Sequence, residues 1–352
     1  MVGEQGILGT TGKLDAALDQ WAEYRDAVQN ELQKIVNRAR PSLRNVLRYH
    51  MGWANERGLS AHGRPGKFIR SILHVLSCQA VGGETARVLP SAAAVELIHN
   101  LSLVHDDIQD GSEERRGRPT VWKLWSKAQA INIGDFMFAL AALALLRLER
   151  HGMCDEEVIH SFRLLTEACT ELCEGQYLDI EFENRINITV EDYLNMIRKK
   201  TAALIAASTS TGAYLGKGRE KAPHFHEFGE AFGMAYQIRD DILGIWGAEE
   251  TTGKSTEEDL RRRKKTFPIV YALTESRDKT KLERLYTQKH FDDGDVRLAA
   301  QILNQCGARE HAQDLVKRYC QRALEQLEAA GLTNSRQAPL MDLTHFLAER
   351  TH

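Results

Sequence analysis

Apolar residues recur at three- and four-residue steps along most of the chain. Between Leu14 and Arg38 they fall at Leu18, Trp21, Tyr24, Val28, Leu32 and Ile35, which predicts an amphipathic helix that breaks near Pro41. A second helix is predicted from Ser42 to Ala54. A mostly apolar one follows from Ile72 to Val81, ended by Gly82-Gly83, and another runs from Ser91 to Asp110. The stretch Ala128–Arg147 is almost unrelieved by polar residues and predicts a helix buried within a bundle. Further helical patterns span Cys154–Glu183, Val190–Leu215, Phe228–Ile245 and Phe267–Thr274, and Asp292–Arg350 predicts two or three more. Within Val190–Leu215, the small residues of Ala202–Ala213 suit either close helix packing or a ligand cavity. No alternation of strand period and no internal repeat is present, so the fold class is all-α, a single-domain helical bundle over 14–352. Residues 1–13, with four glycines and little pattern, predict a flexible N-terminal tail.

Composition agrees. Of 352 residues 43% are hydrophobic, and none of the seven prolines lies between Thr120 and Ala222, which favours long uninterrupted helices. A formal net charge of −3 gives no bulk attraction for nucleic acid or an anionic membrane surface. The six cysteines have no framework spacing and read as buried free thiols. His224 and His226, two apart, cannot share a helix face as ligands and read as surface residues. No signal peptide or membrane span is expected, since the most apolar run, Phe136–Leu146, is short and bounded by Asp135 and Arg147; the expected location is cytoplasmic.

Chemistry concentrates between His99 and Thr120. Asp106 and Asp110 lie one helical turn apart on one face, with Asp107 beside them. Like charges at that spacing repel unless they are solvated or bridged by a hard cation, and magnesium binds through carboxylates plus substrate phosphates. Arg115 and Arg116 follow with planar forks suited to phosphate oxygens. Alone, the segment could equally be a solvated acidic helix end and basic turn; a second acidic pair, Asp240 and Asp241, shifts the balance toward a metal-bridged phosphate ester. Lys67 and Arg70 place cations at a helix start, against the macrodipole, which suits either an anion held between them or an ordinary surface. Gly253-Lys254-Ser255 is not a phosphate loop, because Ala248 stands where that motif needs glycine and no strand precedes it. The run Arg261–Lys265 reads as a solvated loop or a basic flap over an anionic ligand.

These residues resemble the trans-isoprenyl diphosphate synthases, the polyprenyl synthetase family, and among them most the geranylgeranyl diphosphate synthases. Seven motifs stand in the family's order: Gly66-Lys67 with Arg70; His99; Asp106-Asp107-Ile-Gln-Asp110 with Arg115-Arg116-Gly117; Gly175-Gln176 with Asp179; Lys200-Thr201; Asp240-Asp241-Ile-Leu-Gly244; and Lys254 with Lys264-Lys265-Thr266. The resemblance implies a helical bundle of the isoprenoid synthase type around a central apolar cavity, and a magnesium-dependent condensation of isopentenyl diphosphate with an allylic diphosphate. It implies magnesium, three ions per site with substrate bound, on Asp106, Asp107, Asp110, Asp179, Asp240 and Asp241. Arg115, Lys200, Lys254 and Lys264 are expected to hold the allylic diphosphate, and Lys67, Arg70, His99 and Arg116 the isopentenyl diphosphate. Lys200, Thr201 and Gln237 are expected to stabilise the reacting centre, and a homodimer is expected.

Two departures from the family pattern stand out. Gly244 replaces the last aspartate of the second acidic motif, and Phe68 and Ser71 replace a frequent basic residue and a frequent proline. Product length is read from Ala94, Ile98, Leu101 and Ser102 below Asp106: none is aromatic, which favours a twenty-carbon product over the shorter farnesyl chain or a longer one. The competing readings are a class I terpene cyclase, which needs only one diphosphate site, and a non-catalytic subunit of a heteromeric synthase.

Overall fold

The computed structural model describes residues 21–61, 66–247, 258–332 and 335–349. Helices α1 (Ala22–Val36) and α2 (Pro41–His50) come first, with Pro41 at the opening turn of α2, where a missing N–H costs nothing. Helix α3 (Ile69–Ala80) leads into α4 (Thr85–Gln109). A small antiparallel hairpin, β1 (Glu114–Arg115) and β2 (Arg118–Pro119), pairs Glu114 with Pro119 and Arg115 with Arg118. Helices α5 (Val121–Trp125) and α6 (Lys127–Leu146), a 3₁₀ turn at Arg147–His151, and α7 (Asp155–Glu183) follow. Helix α8 (Val190–Ile197) passes through a π-helical turn, Arg198–Ala202, into α9 (Ala203–Leu215) with helical dihedrals at every junction. The remainder is α10 (Ala222–Trp246), α11 (Glu258–Arg261), α12 (Phe267–Glu275), α13 (Lys279–Thr287), α14 (Asp293–Gln305), α15 (Ala308–Ala329) and α16 (Ala338–Glu349).

The largest departure from the sequence reading is at α4, which begins at Thr85 rather than Ser91 and carries Pro90 inside. Proline removes the N–H that would reach the carbonyl four residues earlier. That carbonyl, of Ala86, is instead paired with His151 Nδ1 at 2.9 Å, so the helix continues without an orphan acceptor. Helix α10 likewise starts earlier than predicted, at Ala222, with Pro223 tolerated in its first turn. Helix α13 was not anticipated, because it is short and only Leu282 and Leu285 of its nine residues are buried.

Helix α9 is buried along its whole length, and a Cβ at Gly212 would overlap the His74 carbonyl. The small-residue stretch therefore serves close packing between α9 and α3 rather than a cavity. His74 is tied there by Ser208 O and Ser91 Oγ, both at 2.8 Å. Two apolar clusters result: the main bundle, and a smaller one in which Ile245, Leu260, Ile269, Leu282, Val296 and Ile302 fasten α11–α14 to the end of α10.

Segment Lys127–His151 is, by length and apolarity alone, long enough to cross a membrane, with a mean hydropathy of 1.7. One side of it, including Ala130, Ile133, Met137 and Ala144, is buried in the main core. The cysteines are all free, but Cys154 and Cys173 are exposed and Cys306 is half-buried, so only Cys78, Cys169 and Cys320 fit the expectation of buried thiols.

Candidate active site

Both acidic motifs lie in the last turns of long helices, Asp106 to Asp110 closing α4 and Asp240-Asp241 near the end of α10. Carboxylates there add to the negative pole of the helix dipole instead of offsetting it, an arrangement that costs stability unless a cation is to be held. Burial, reinforced by Asp110 and only partly relieved by Lys200, pushes Asp106 up to about 6. Asp107 points elsewhere. It is buried, and its Oδ1 accepts from Arg115 Nε at 2.8 Å and Nη2 at 2.7 Å. Asp107 thus anchors the hairpin. Arg116 and Gly117 both have positive φ at its tip, the two-residue turn that suits strand twist and normally demands glycine or asparagine. Arg118 fixes the other strand to the segment after α2 through Ala54 O at 2.7 Å, while Tyr49 of α2 donates to Pro119 O at 2.8 Å.

That strained turn aims Arg116 at a group of cations. Its guanidinium lies against Gly66, where a Cβ would stand 3.1 Å from Nη2, so the glycine of the Gly-Lys pair makes room for it. Arg70 Nη1 is 3.4 Å from His99 Nε2. Burial first, then Arg70, Arg116 and Arg115, hold the His99 ring neutral, well below its usual range. Beneath them Glu96 is buried in α4 and accepts from Ser71 Oγ at 2.9 Å and Ser71 N at 3.4 Å. Burial raises its carboxyl, and Ser71, Arg70 and Arg116 pull it back. The serine that replaces the family's usual proline thus contributes two donors that proline lacks. Phe68 opens α3 in the left-handed region with its ring buried.

On the opposite helix the acidic pair also divides. Asp240 is exposed, and its charge reaches Arg70. Asp241 is enclosed: Oδ1 accepts from Gln237 Nε2 at 3.0 Å, Oδ2 from the Phe267 N–H at 3.0 Å, and Tyr193 OH donates a short hydrogen bond to Oδ2. Burial pushes Asp241 up to about 7 against those donors. Gln237 Oε1 in turn accepts from Thr201 Oγ1 at 2.8 Å. Thr201 and Lys200 sit in the π turn, the kind of helix defect that turns side chains inward at functional sites. Gly175 on α7 permits it, since a Cβ there would overlap the Lys200 backbone. Lys200 Nζ meets Asp179 Oδ2 at 2.5 Å, and Lys200 and Lys264 outweigh burial to hold Asp179 below the usual carboxylate range. Asp179, Lys200, Thr201, Gln237 and Lys264 border one cleft with Tyr193.

The basic run is largely exposed, as a solvated loop would be, yet several of its side chains are tied to the rest of the protein. Arg261 pairs with Asp293, Arg262 donates to Ser112 Oγ at 3.2 Å, and Arg263 donates to Gln288 O at 2.7 Å. Lys265 Nζ donates to Phe182 O at 2.7 Å and Glu183 O at 2.6 Å, capping the C-terminus of α7. Lys264 alone turns among carboxylates. Burial would lower it, but Asp179, Asp259, Asp241 and Asp110 raise it further.

Asp106, Asp110, Asp179, Lys200, Thr201, Gln237 and Lys264 are thus gathered from five segments into one mouth, with Asp240 on the same helix as Gln237, and Arg70, His99 and Arg116 in a second group beside it. Asp107 and Asp241 are turned into hydrogen-bonded anchors, and Arg115 is engaged by Asp107. Lys67 is exposed at the approach to α3, and Lys254 lies outside the described residues. Ala94, Ile98, Leu101 and Ser102 are buried along α4 beneath Asp106. Among the described residues no three carboxylates, histidines or cysteines converge into a ready-made metal cage. Sequence reasoning missed Glu96 and Tyr193. Glu96 carried a signal, an acid within an otherwise apolar stretch of α4; Tyr193 carried none, its partner being 48 residues away.

Residues 54–303 match the family model described as polyprenyl synthetase. The chain is 36% identical over 327 residues to a (2E,6E)-farnesyl diphosphate synthase of Mycobacterium tuberculosis, covering 91% of this chain and 89% of that one. It is 37% identical over 303 residues to a geranylgeranyl diphosphate synthase of the same organism, covering 85% of each. The crystal structure of a polyprenyl synthetase from Streptomyces coelicolor A3(2) superposes with a TM-score of 0.87 at 37% identity, covering 95% of this chain and 99% of that one. Fold, motif order and these matches agree: the chain belongs to the polyprenyl synthetase family.

Proposed function

We propose that this protein is a trans-prenyl diphosphate synthase that joins isopentenyl diphosphate head-to-tail to an allylic diphosphate, with geranylgeranyl diphosphate as product. The observation that carries this reading is the presence of two separate cationic groups beside one carboxylate mouth. Lys200 and Lys264 stand among Asp106, Asp110, Asp179 and Asp241, whereas Arg70, His99 and Arg116 stand over Glu96. A terpene cyclase, with a single diphosphate to hold, has no use for the second group.

The donor set fits magnesium. Asp106, Asp110, Asp179 and Asp240 offer oxygen only, the choice of a hard cation that completes its shell with phosphate and water. This explains why no closed protein cage is needed. We assign three ions to the substrate-bound site. Magnesium there would supply positive charge to the oxygens of the departing diphosphate. Lys200 and Lys264 bind the same diphosphate and favour it as a leaving group over the ester. Breaking the allylic carbon–oxygen bond leaves a delocalised cation, which the Thr201 and Gln237 oxygens face. Arg70, His99 and Arg116 hold isopentenyl diphosphate so that its double bond meets that cation, forming the new carbon–carbon bond. The released diphosphate takes the proton that is lost. The apolar wall below Asp106 keeps water from the cation.

Chain length is assigned to α4. Leu101 and Ser102 lie one turn before Asp106, with Ile98 and Ala94 deeper, and none carries a ring. The relatives include farnesyl, geranylgeranyl and geranylfarnesyl diphosphate synthases, so the assignment rests on these α4 residues and not on the relatives. We also assign the active form to a homodimer, on the apolar residues that α6 leaves exposed.

The test is incubation with isopentenyl diphosphate, magnesium and each allylic starter, with products resolved by carbon number. A twenty-carbon diphosphate is expected, and Leu101→Phe or Ser102→Phe should shift it to fifteen carbons. An unchanged distribution in both variants would remove the floor from α4. Starter turned into hydrocarbon without isopentenyl diphosphate would replace the synthase with a cyclase. Activity appearing only on adding a partner chain would make this a subunit.

A further inference from the structure

Gly244 stands one helical turn beyond Asp240, on the same face of α10, where the family pattern has a third carboxylate. The space a side chain would fill there is not empty. A Cβ built on Gly244 would overlap Oδ2 and Cγ of Asp259, so the Asp259 carboxylate occupies the position of the missing side chain. Asp259 reaches it from α11, which is held in place because Leu260 is fully buried in the same apolar cluster as Ile245 of α10. Its charge acts, together with those of Asp179, Asp241 and Asp110, on Lys264, which borders the cleft. Glycine at 244 is therefore the complement of aspartate at 259: any larger residue would displace that carboxylate.

We infer that Asp259 supplies, from the segment after α10, the metal-directed carboxylate that position 244 lacks, and so completes the second acidic motif across a gap in sequence. The inference rests on the synthase reading above and concerns which residue serves the Asp240 wall. Asp259 here is a further ligand, direct or through a bound water, for the cation that Asp240 holds. The same contact ties α11 to the mouth, and with it Lys264 a few residues on.

The test uses the full chain, manganese as a spectroscopic stand-in for magnesium, and inorganic pyrophosphate as the anion, with binding followed by electron paramagnetic resonance and calorimetry. Asp259→Asn, which keeps the packing and removes the charge, should weaken manganese binding in the presence of pyrophosphate by roughly tenfold or more. Its metal-free melting temperature should stay at the wild-type value. The double variant Gly244→Asp with Asp259→Ala moves the carboxylate onto α10 and should recover most of the lost affinity. Asp240→Asn is the reference and should lose affinity in any case. Wild-type affinity in Asp259→Asn would overturn the inference while leaving the synthase reading intact, provided Asp240→Asn is impaired. A loss in Asp259→Asn that comes with a lower metal-free melting temperature and no recovery in the double variant would also overturn it, making Asp259 a packing group. No effect of Asp240→Asn would bring down the synthase reading and this inference with it.

Discussion

Asp240 and Asp241 are adjacent in sequence and do different work. Asp240 is exposed and has no hydrogen bond or ion pair among the described residues, whereas Asp241 is 3% exposed and satisfies three donors. Asp240→Ala should leave stability within about 0.5 kcal/mol by chemical denaturation, yet cut turnover by roughly 10²-fold or more, the loss typical of a group that acts on developing charge. Asp241→Ala strands buried donors and should cost about 3 kcal/mol or more of stability. The pair Asp106 and Asp107 should divide in the same way. A sequence could point to these clusters, because a four-residue spacing puts Asp106 and Asp110 on one face. It could not say which neighbour faces the cleft, since that depends on the rotation of each helix against its neighbours. Buried histidines add a pH dependence. Burial lowers His74 to about 4 and, with Arg116 and Arg115, His50 to about 3. An unfolded histidine takes up a proton near pH 6.5 while these stay neutral, so stability is full above that pH and is lost as pH falls toward 4. His74 alone accounts for up to roughly 3 kcal/mol of that loss. Denaturation midpoints at pH 7 and pH 4.5 measure it, and His74→Gln should be weaker at pH 7 but flatter between the two.

Among elements, α7 and the π turn are closely joined. Gly175 lets the α7 backbone touch Lys200, and the turn is held by Arg198 to Glu171 at 2.9 Å, by Lys199 to Glu174, and by Lys200 to Asp179. Gly175→Ala should therefore cost about 1–3 kcal/mol through overpacking. It should also misplace the Lys200 ammonium, lowering turnover by roughly 10-fold to 10²-fold, since catalytic groups tolerate little displacement. Equal turnover in the variant would show that the turn absorbs the extra methyl. The helices themselves were legible because their apolar periods are long and uninterrupted, and the smallness of the residues in α9 was visible too. The π turn was not, because it differs from an α-helix by one inserted residue that no local composition marks. The early start of α4 was hidden for a related reason: Pro90 is acceptable only because His151, 61 residues later, takes over the Ala86 carbonyl, a pairing that exists only after folding.

At the scale of the whole molecule, α6 has two apolar sides and one buried face. Ile131, Phe138, Leu143 and Leu146 remain 47%, 43%, 58% and 49% exposed, with Ile159 and Phe162 of α7 also exposed. The homodimer proposed above would cover this stripe, apolar groups of this size being unusual on a free surface. The variant Phe138→Glu with Leu143→Glu should halve the mass seen by light scattering while keeping the helical circular dichroism of the wild type. A mass unchanged by both charges would place the contact elsewhere. The chain also completes its mouth from its far end. Lys264, Lys265 and the Phe267 N–H come after position 260, whereas the groups they neutralise or cap lie at Asp179, at the end of α7 and at Asp241. A ribosome adding roughly 5–20 residues per second needs seconds to travel from Asp179 to Phe267. Every newly made molecule thus spends that interval with its helices emerging and its acidic mouth still without those partners, so the site is finished late in synthesis, after most of the helices that carry it.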